Sequence, residues 1–270
     1  MVTNCQLCAL PRITTHNGFV MSDTQQSHPY LLQLDGAARE RRWTNVRPRD
    51  AATLIVIDRS TSMPKLLMGK RHHGHKFMPG KFVFPGGGIE KHDRQMVVAG
   101  ALEPAVEQRL MQRVQRPTMS RARALALAAI RETFEETGLL IGSKDYGMPD
   151  RAPEGPWADY AGHGVFPHLE DLHMVARAIT PPRRPKRFDA RFFAVDRTAI
   201  VDEVTGVIGP DSELTELVWV PMDEAKHLDL PPVTAVILLE LADRIEAGFG
   251  HHLPVPFYHE VNRAFVRELL

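Results

Sequence analysis

The chain has 270 residues, 43% of them hydrophobic, enough for one large domain or two small ones around a true core. Its 33 Lys and Arg balance its 33 Asp and Glu, which argues against an overall positive field drawing it to nucleic acid or anionic membranes. No apolar run approaches the roughly 18 to 20 residues needed to cross a bilayer, and the start lacks the regions of a leader peptide, so the cytoplasm is the default compartment.

Residues 1–46 read as an N-terminal extension. Within it, Cys5 and Cys8 form a lone C-x-x-C with no second cysteine pair, so neither zinc nor redox use is expected. Met21 opens a polar stretch typical of a protein start, which makes it a candidate initiation site.

From residue 47 to about 250 the pattern is that of a mixed α/β domain. Residues 51–58 (AATLIVID) and 65–71 (KLLMGKR) are β-rich runs separated by a Ser-, Thr- and Pro-containing turn, the mark of a hairpin. Phe82 to Phe84 stops at Pro85 and three glycines, Gly86 to Gly88, which suggest a functional loop with tight, positive-φ turns. Leu102 to Arg116 reads as an amphipathic helix, followed by Thr118 or Ser120 as the cap of the next one.

That next helix carries Ala122, Leu125, Ala126, Ala129, Ile130, Thr133, Phe134 and Thr137 at three- and four-residue spacing, and Gly138 ends it. Further on, residues 172–179, 190–195 and 215–220 read as strands and 232–247 as a helix, with the Pro- and charge-rich connector PPRRPKR at 181–187 between the first two strands. Residues 251–270 are left as a C-terminal segment.

The chemistry sits on the helix before Gly138. Glu132, Glu135 and Glu136 stand at i, i+3 and i+4, so their carboxylates converge within about one turn and repel one another. Spacing alone permits a solvated acidic face, partly neutralised by Arg131. It equally permits a site for a hard divalent cation, since Mg²⁺ or Mn²⁺ prefers carboxylate oxygens.

The string Arg131-Glu132-Thr133-Phe134-Glu135-Glu136-Thr137-Gly138-Leu139 resembles the end of the Nudix box, R-E-U-x-E-E-x-G-U, with Thr133 at a position usually aliphatic. Phe84 to Glu90 resembles the family's glycine-rich opening, and five residues beyond Gly87 lies Asp93, where the box has Glu. Residues 94–130 then intervene where the motif allows seven, an interruption that hides the box from a simple pattern search. A box split in this way, with the blocks PGKFVFPGG, KRFDARFF and DSELTELVWVP around it, resembles the Nudix branch that includes the mammalian peroxisomal coenzyme A diphosphohydrolase.

The resemblance implies an α/β/α sandwich around a mixed sheet, with a helical insertion at about 94–120 that could act as a lid, a partner surface or padding. It implies hydrolysis of a diphosphate linkage in a nucleoside-diphosphate-linked small molecule, coenzyme A or acyl-CoA preferred, with ADP-ribose, dinucleotides or nucleotide sugars as alternatives. A non-catalytic ligand sensor is the reading of another class.

Glu132, Glu135 and Glu136 would hold Mg²⁺ or Mn²⁺, and Arg131 would pair with an acid and hold them in place. Asp93, Glu213 and Glu216 are further candidates for ligand or base, without a choice among them. Arg71, Gly86, Gly87, Arg183 and Arg184 are candidate substrate contacts, with Lys186 beside them, although half of the family's coenzyme A signature is absent around Arg71. Those connector cations read equally well as solvated. His72, His73 and His75 read as surface groups. Trp157, Tyr160 and Phe166 would line a pocket or cover the core. The expected partner is a small diphosphate molecule, with no nucleic acid or membrane, and a homodimer is left open.

Overall fold

A computed structural model describes residues 41–75 and 78–270 together with Leu31 and Leu34; Cys5, Cys8 and Met21 lie outside the described residues. In chain order the elements are β1 (Arg49–Asp58), β2 (Lys65–Arg71), β3 (Phe82–Val83), β4 (Gly86–Gly88), α1 (Pro104–Met111), α2 (Met119–Thr137) and β5 (Leu139–Ser143). There follow α3 (Pro156–Gly162), β6 (Phe166–Pro167), β7 (His173–Ile179), β8 (Phe188–Asp196), β9 (Ile200–Glu203) and β10 (Leu214–Pro221). The chain ends with α4 (Met222–Ala225), α5 (Pro232–Glu246), β11 (Pro256–Val261) and β12 (Ala264–Leu269).

The main sheet runs β10-β2-β1-β8-β7-β11-β12, with β3 added to β2 and β4 to β1. It is mixed: β1 with β8 and β7 with β11 are parallel, and the other pairs are antiparallel. Along β1 the side chains alternate between two cores, because successive residues of a strand point to opposite faces. Leu54 and Val56 face α1, α2 and α3, whereas Ile55 and Ile57 face α5. The result is helix, sheet, helix, a three-layer sandwich. A small sheet, β6-β5-β9, sits at the end of α2.

Three features differ from the sequence expectation. Gly86 to Gly88 form a strand, not a positive-φ turn, pairing with Thr53, Ala52 and Ala51 of β1. The helix expected over 102–116 is confined to Pro104–Met111, because Gln112 turns extended and Arg113 and Arg116 take left-handed backbone. The C-terminal segment supplies β11 and β12, and β11 adds to β7, so these residues extend the sheet.

Among the described residues no helix is long and apolar enough to cross a membrane.

Candidate active site

Helix α2 is positioned at both ends by local chemistry. Thr118 caps it, its side chain accepting the Arg121 N–H at 3.2 Å. At the other end Gly138 takes φ +80 and its N–H donates to Phe134 O at 2.8 Å. A Cβ at Gly138 would meet Val204 O at 2.2 Å, so both backbone shape and space demand glycine there. The buried Thr133 satisfies its hydroxyl on Ala129 O at 2.8 Å, which lets a polar residue stand at an aliphatic position of the box.

Arg131 is the hub beneath the acids. It is 2% exposed and donates from Nε to Asp93 Oδ1 at 2.8 Å, and from Nη2 to Asp93 Oδ2 at 3.2 Å and Gly88 O at 2.8 Å. Its Nη1 reaches Glu132 Oε1 at 2.9 Å and Glu135 Oε1 at 2.8 Å. Burial opposes its charge, but Asp93, Glu132 and Glu135 outweigh burial and hold its proton more tightly than usual.

Asp93 is fully buried and also accepts Trp157 Nε1 at 2.9 Å and Glu90 N at 2.7 Å. It is therefore an anchor in the interior and not a group that meets a ligand. Its shorter side chain still grips the arginine because the short 3-10 turn around it, His92–Arg94, packs directly against α2.

The carboxylates divide in two. Glu132 and Glu136 line a cleft of about 910 Å³, whose walls include Gly86, Gly87, Arg71, Glu213 and Arg184. Glu135 does not line it and is turned toward Arg131. Burial pushes the Glu132 carboxyl up to about 7, with Glu135 and Glu213 adding repulsion and Arg131 opposing both. Glu136, 7% exposed, is raised well above the ordinary value by burial and by the charges of Glu213 and Glu132, despite a bond from Gly86 N at 3.3 Å.

Gly87 touches the acids directly. A Cβ there would lie 2.4 Å from the Glu132 carboxylate, which explains the glycine by close approach and not by conformation.

The remaining candidates separate cleanly. Arg71 and Glu213 pair with each other at the cleft wall. Glu216 points away, half exposed and 3.9 Å from Lys70, because the register of β10 against β2 shifts between Leu214 and Glu216. From the connector, Arg184 and Lys186 line the cleft, whereas Arg183, at φ 58 where the chain turns, does not. Of the histidines, His75 reaches the wall, and His72 Nδ1 accepts the Gly74 N–H within its own turn. Trp157 and Tyr160 are core residues, Trp157 bound to Asp93 and Tyr160 donating to Ile141 O at 2.6 Å, so they offer no stacking platform.

Sequence reasoning missed the apolar half of the cleft, formed by Phe188, Phe192 and Val233 among others, and the start of α5 beside it. These residues come together only through the sheet.

The donor set fits a hard divalent cation. Mg²⁺ commonly takes one or two carboxylates and completes its shell with water and substrate phosphate, and the buried Glu136 and half-buried Glu132 present two carboxylates whose mutual repulsion a cation would relieve. Among the described residues no group of three acids, histidines or cysteines is placed to hold a metal ion by itself.

No protein-family model matches the chain. A Caenorhabditis elegans protein named as nudix hydrolase 7 is 26% identical over 209 residues, covering 72% of this chain and 60% of the relative. The chain thus spans less than two thirds of that relative's length. The crystal structure of a Nudix hydrolase from Alicyclobacillus acidocaldarius is similar with a TM-score of 0.55 and 25% identity, over 72% of this chain and 90% of that one. With a box reassembled in space across its interruption, the chain is thus similar to Nudix hydrolases both in sequence and in fold.

Proposed function

We propose that the chain hydrolyses the diphosphate linkage of a nucleoside-diphosphate-linked small molecule with the help of Mg²⁺ or Mn²⁺, and that coenzyme A or an acyl-CoA is the substrate. The observation that carries the reading is the pairing of Glu132 and Glu136 with the backbone of Gly86 and Gly87 on one wall of a single cleft. A diphosphate presents several negative oxygens, and water attacks phosphorus only when that charge is neutralised and the group is held in line. Glu132 and Glu136 would hold the cation, which would supply that neutralisation and activate the attacking water.

The chain's own groups do the positioning. Arg131 and Asp93 hold the helix turn from beneath, Gly86 N–H fixes one Glu136 oxygen, and the absent side chain at Gly87 leaves room for phosphate next to Glu132. Arg71, held by Glu213, stands where it can meet a phosphate oxygen. Substitution of Glu132, Glu136 and Glu213 in turn assigns the proton acceptor. The choice of coenzyme A draws on the split box and is supported by a large cleft with an apolar half and with Arg184 and Lys186 on its wall.

The test is turnover of coenzyme A, acetyl-CoA, ADP-ribose, NADH, diadenosine polyphosphates and UDP-glucose with Mg²⁺ or Mn²⁺, with products identified by mass. Release of 3′,5′-ADP from coenzyme A, lost in Glu136→Gln, is the expected result. Cleavage of another member of the panel replaces the substrate but keeps the reaction. Silence on all of them, with metal binding confirmed, favours the ligand sensor.

A further inference from the structure

Helix α5 starts in the wall of the same cleft, away from the glutamates along the chain and just after Asp229, whose carbonyl accepts the Phe82 N–H of β3 at 3.0 Å. Pro231 caps it without a side-chain bond and Pro232 fills its first position, so neither residue has an N–H to offer. Ala235 is the first to reach back, to Pro231 O at 3.1 Å. That leaves the N–H groups of Val233 and Thr234 at the positive end of a 15-residue helix.

A second observation points the same way. Thr234 is 5% exposed and lines the cleft. A helical threonine commonly returns its hydroxyl proton to the carbonyl one turn back, as Thr133 does to Ala129. Thr234 makes no such bond and has no hydrogen-bond partner among the described residues, yet its hydroxyl is not among the sealed, unpartnered atoms of the interior. It opens on the cleft.

We propose that the first turn of α5, through the N–H groups of Val233 and Thr234 and the Thr234 hydroxyl, binds a phosphate monoester of the substrate distinct from the diphosphate that is cut. Helix N-termini with free N–H groups and an adjoining hydroxyl are suited to this, since the donors converge on one oxyanion and the dipole favours its charge. Lys186, on the same cleft wall, adds a positive charge. The identity of the ligand rests on the diphosphate reading above; the existence of the oxyanion site does not.

Two measurements on the full chain separate these. Inorganic phosphate is titrated without metal while the amide resonances are followed. The Val233 and Thr234 amides shift, Thr234→Val weakens the response about tenfold or more, the worth of one hydrogen bond to a charged group, and Thr234→Ser restores it. Amides that do not move, or a Thr234→Val protein that responds as the parent does, overturn the site. The second measurement compares KM for coenzyme A and 3′-dephospho-coenzyme A: the parent prefers the phosphorylated form, and Thr234→Val loses about tenfold or more of that preference with kcat unchanged. An equal preference in parent and variant overturns the assignment of the site to substrate. If neither molecule is cut, the coenzyme A reading fails while the phosphate titration still decides the site.

Discussion

The two ends of α2 carry opposite charge imbalances, and they are resolved differently. At the C-terminal end, acids exceed bases: Arg131 sits among Asp93, Glu132 and Glu135, with Glu136 and Glu213 beyond. At the N-terminal end, bases exceed acids: Arg121 and Arg191 share Asp50, and Arg191 and Arg177 share Asp189. There the surplus is absorbed by backbone, since Arg177 donates to Gln112 O and Arg113 O just beyond α1, and Arg191 to Asp189 O. Among the described residues Arg131, Arg71 and the Gly86 N–H offset only part of the negative surplus, and burial drives the Glu132 and Glu136 carboxyls toward their protonated forms. A surplus met by the fold is structural; one left for a ligand marks a site.

The basic end also involves the segment around α1. The turn after α1 supplies the carbonyls that close the basic end, and Arg109 donates from α1 to His252 O at 3.0 Å. Val106 and Leu110 of α1 pack into the same core as the buried face of α2.

The comparison can be broken at either end. Glu136→Gln has the largest expected effect: turnover falls on the order of a hundred- to a thousand-fold, while the melting temperature holds or rises because a buried carboxylate has been removed. Near-normal turnover in that protein would sink the site. Arg131→Met comes next, since it strands the fully buried Asp93; urea unfolding should show a loss of about 3–5 kcal/mol, together with lower activity. Retained stability there would mean that Asp93 does not depend on its partner.

Arg191→Met should behave in the opposite way. Arg191 is fully buried with Nε and Nη2 unpartnered, and Asp50 and Asp189 keep Arg121 and Arg177. Exchange for an apolar side chain is expected to be neutral or mildly stabilising in urea, with kcat retained. A loss as large as that of Arg131→Met would erase the distinction between the two ends.

A smaller effect belongs to neither. His173 stacks on His251 with ring centroids 3.7 Å apart, and burial, then His251, Arg244 and Arg59, lower its pKa from 6.5 to about 3. Its proton binds the unfolded chain first, so the stability it contributes is present above about pH 6.5 and is lost as pH falls from there toward 3. His173→Gln should flatten that part of the stability profile, and an unchanged slope would assign the pH dependence to other groups.

How much could be read beforehand follows the range of the interaction. The α2 stripe, its Thr118 cap, its Gly138 stop and the spacing of Glu132, Glu135 and Glu136 are all local, and local periodicity exposes them. The terminal hairpin was not legible: its turn at Asn262 and Arg263 uses left-handed backbone without a glycine, and its stability comes from pairing with β7, far back in the chain.

Sequence alone established a mixed α/β chain, a helix with three acids on one turn, and a glycine run that the box resemblance joins to that helix across residues 94–130. Tertiary structure decided which acids face the cleft, that Asp93 is an anchor, that Gly86 to Gly88 form a strand, and that α5 brings Thr234 to the wall of the same cleft. The division has one physical cause. Spacing along a helix or strand sets which side chains share a face, but burial, charge balance and unpaired donors depend on what the rest of the sheet brings up against that face.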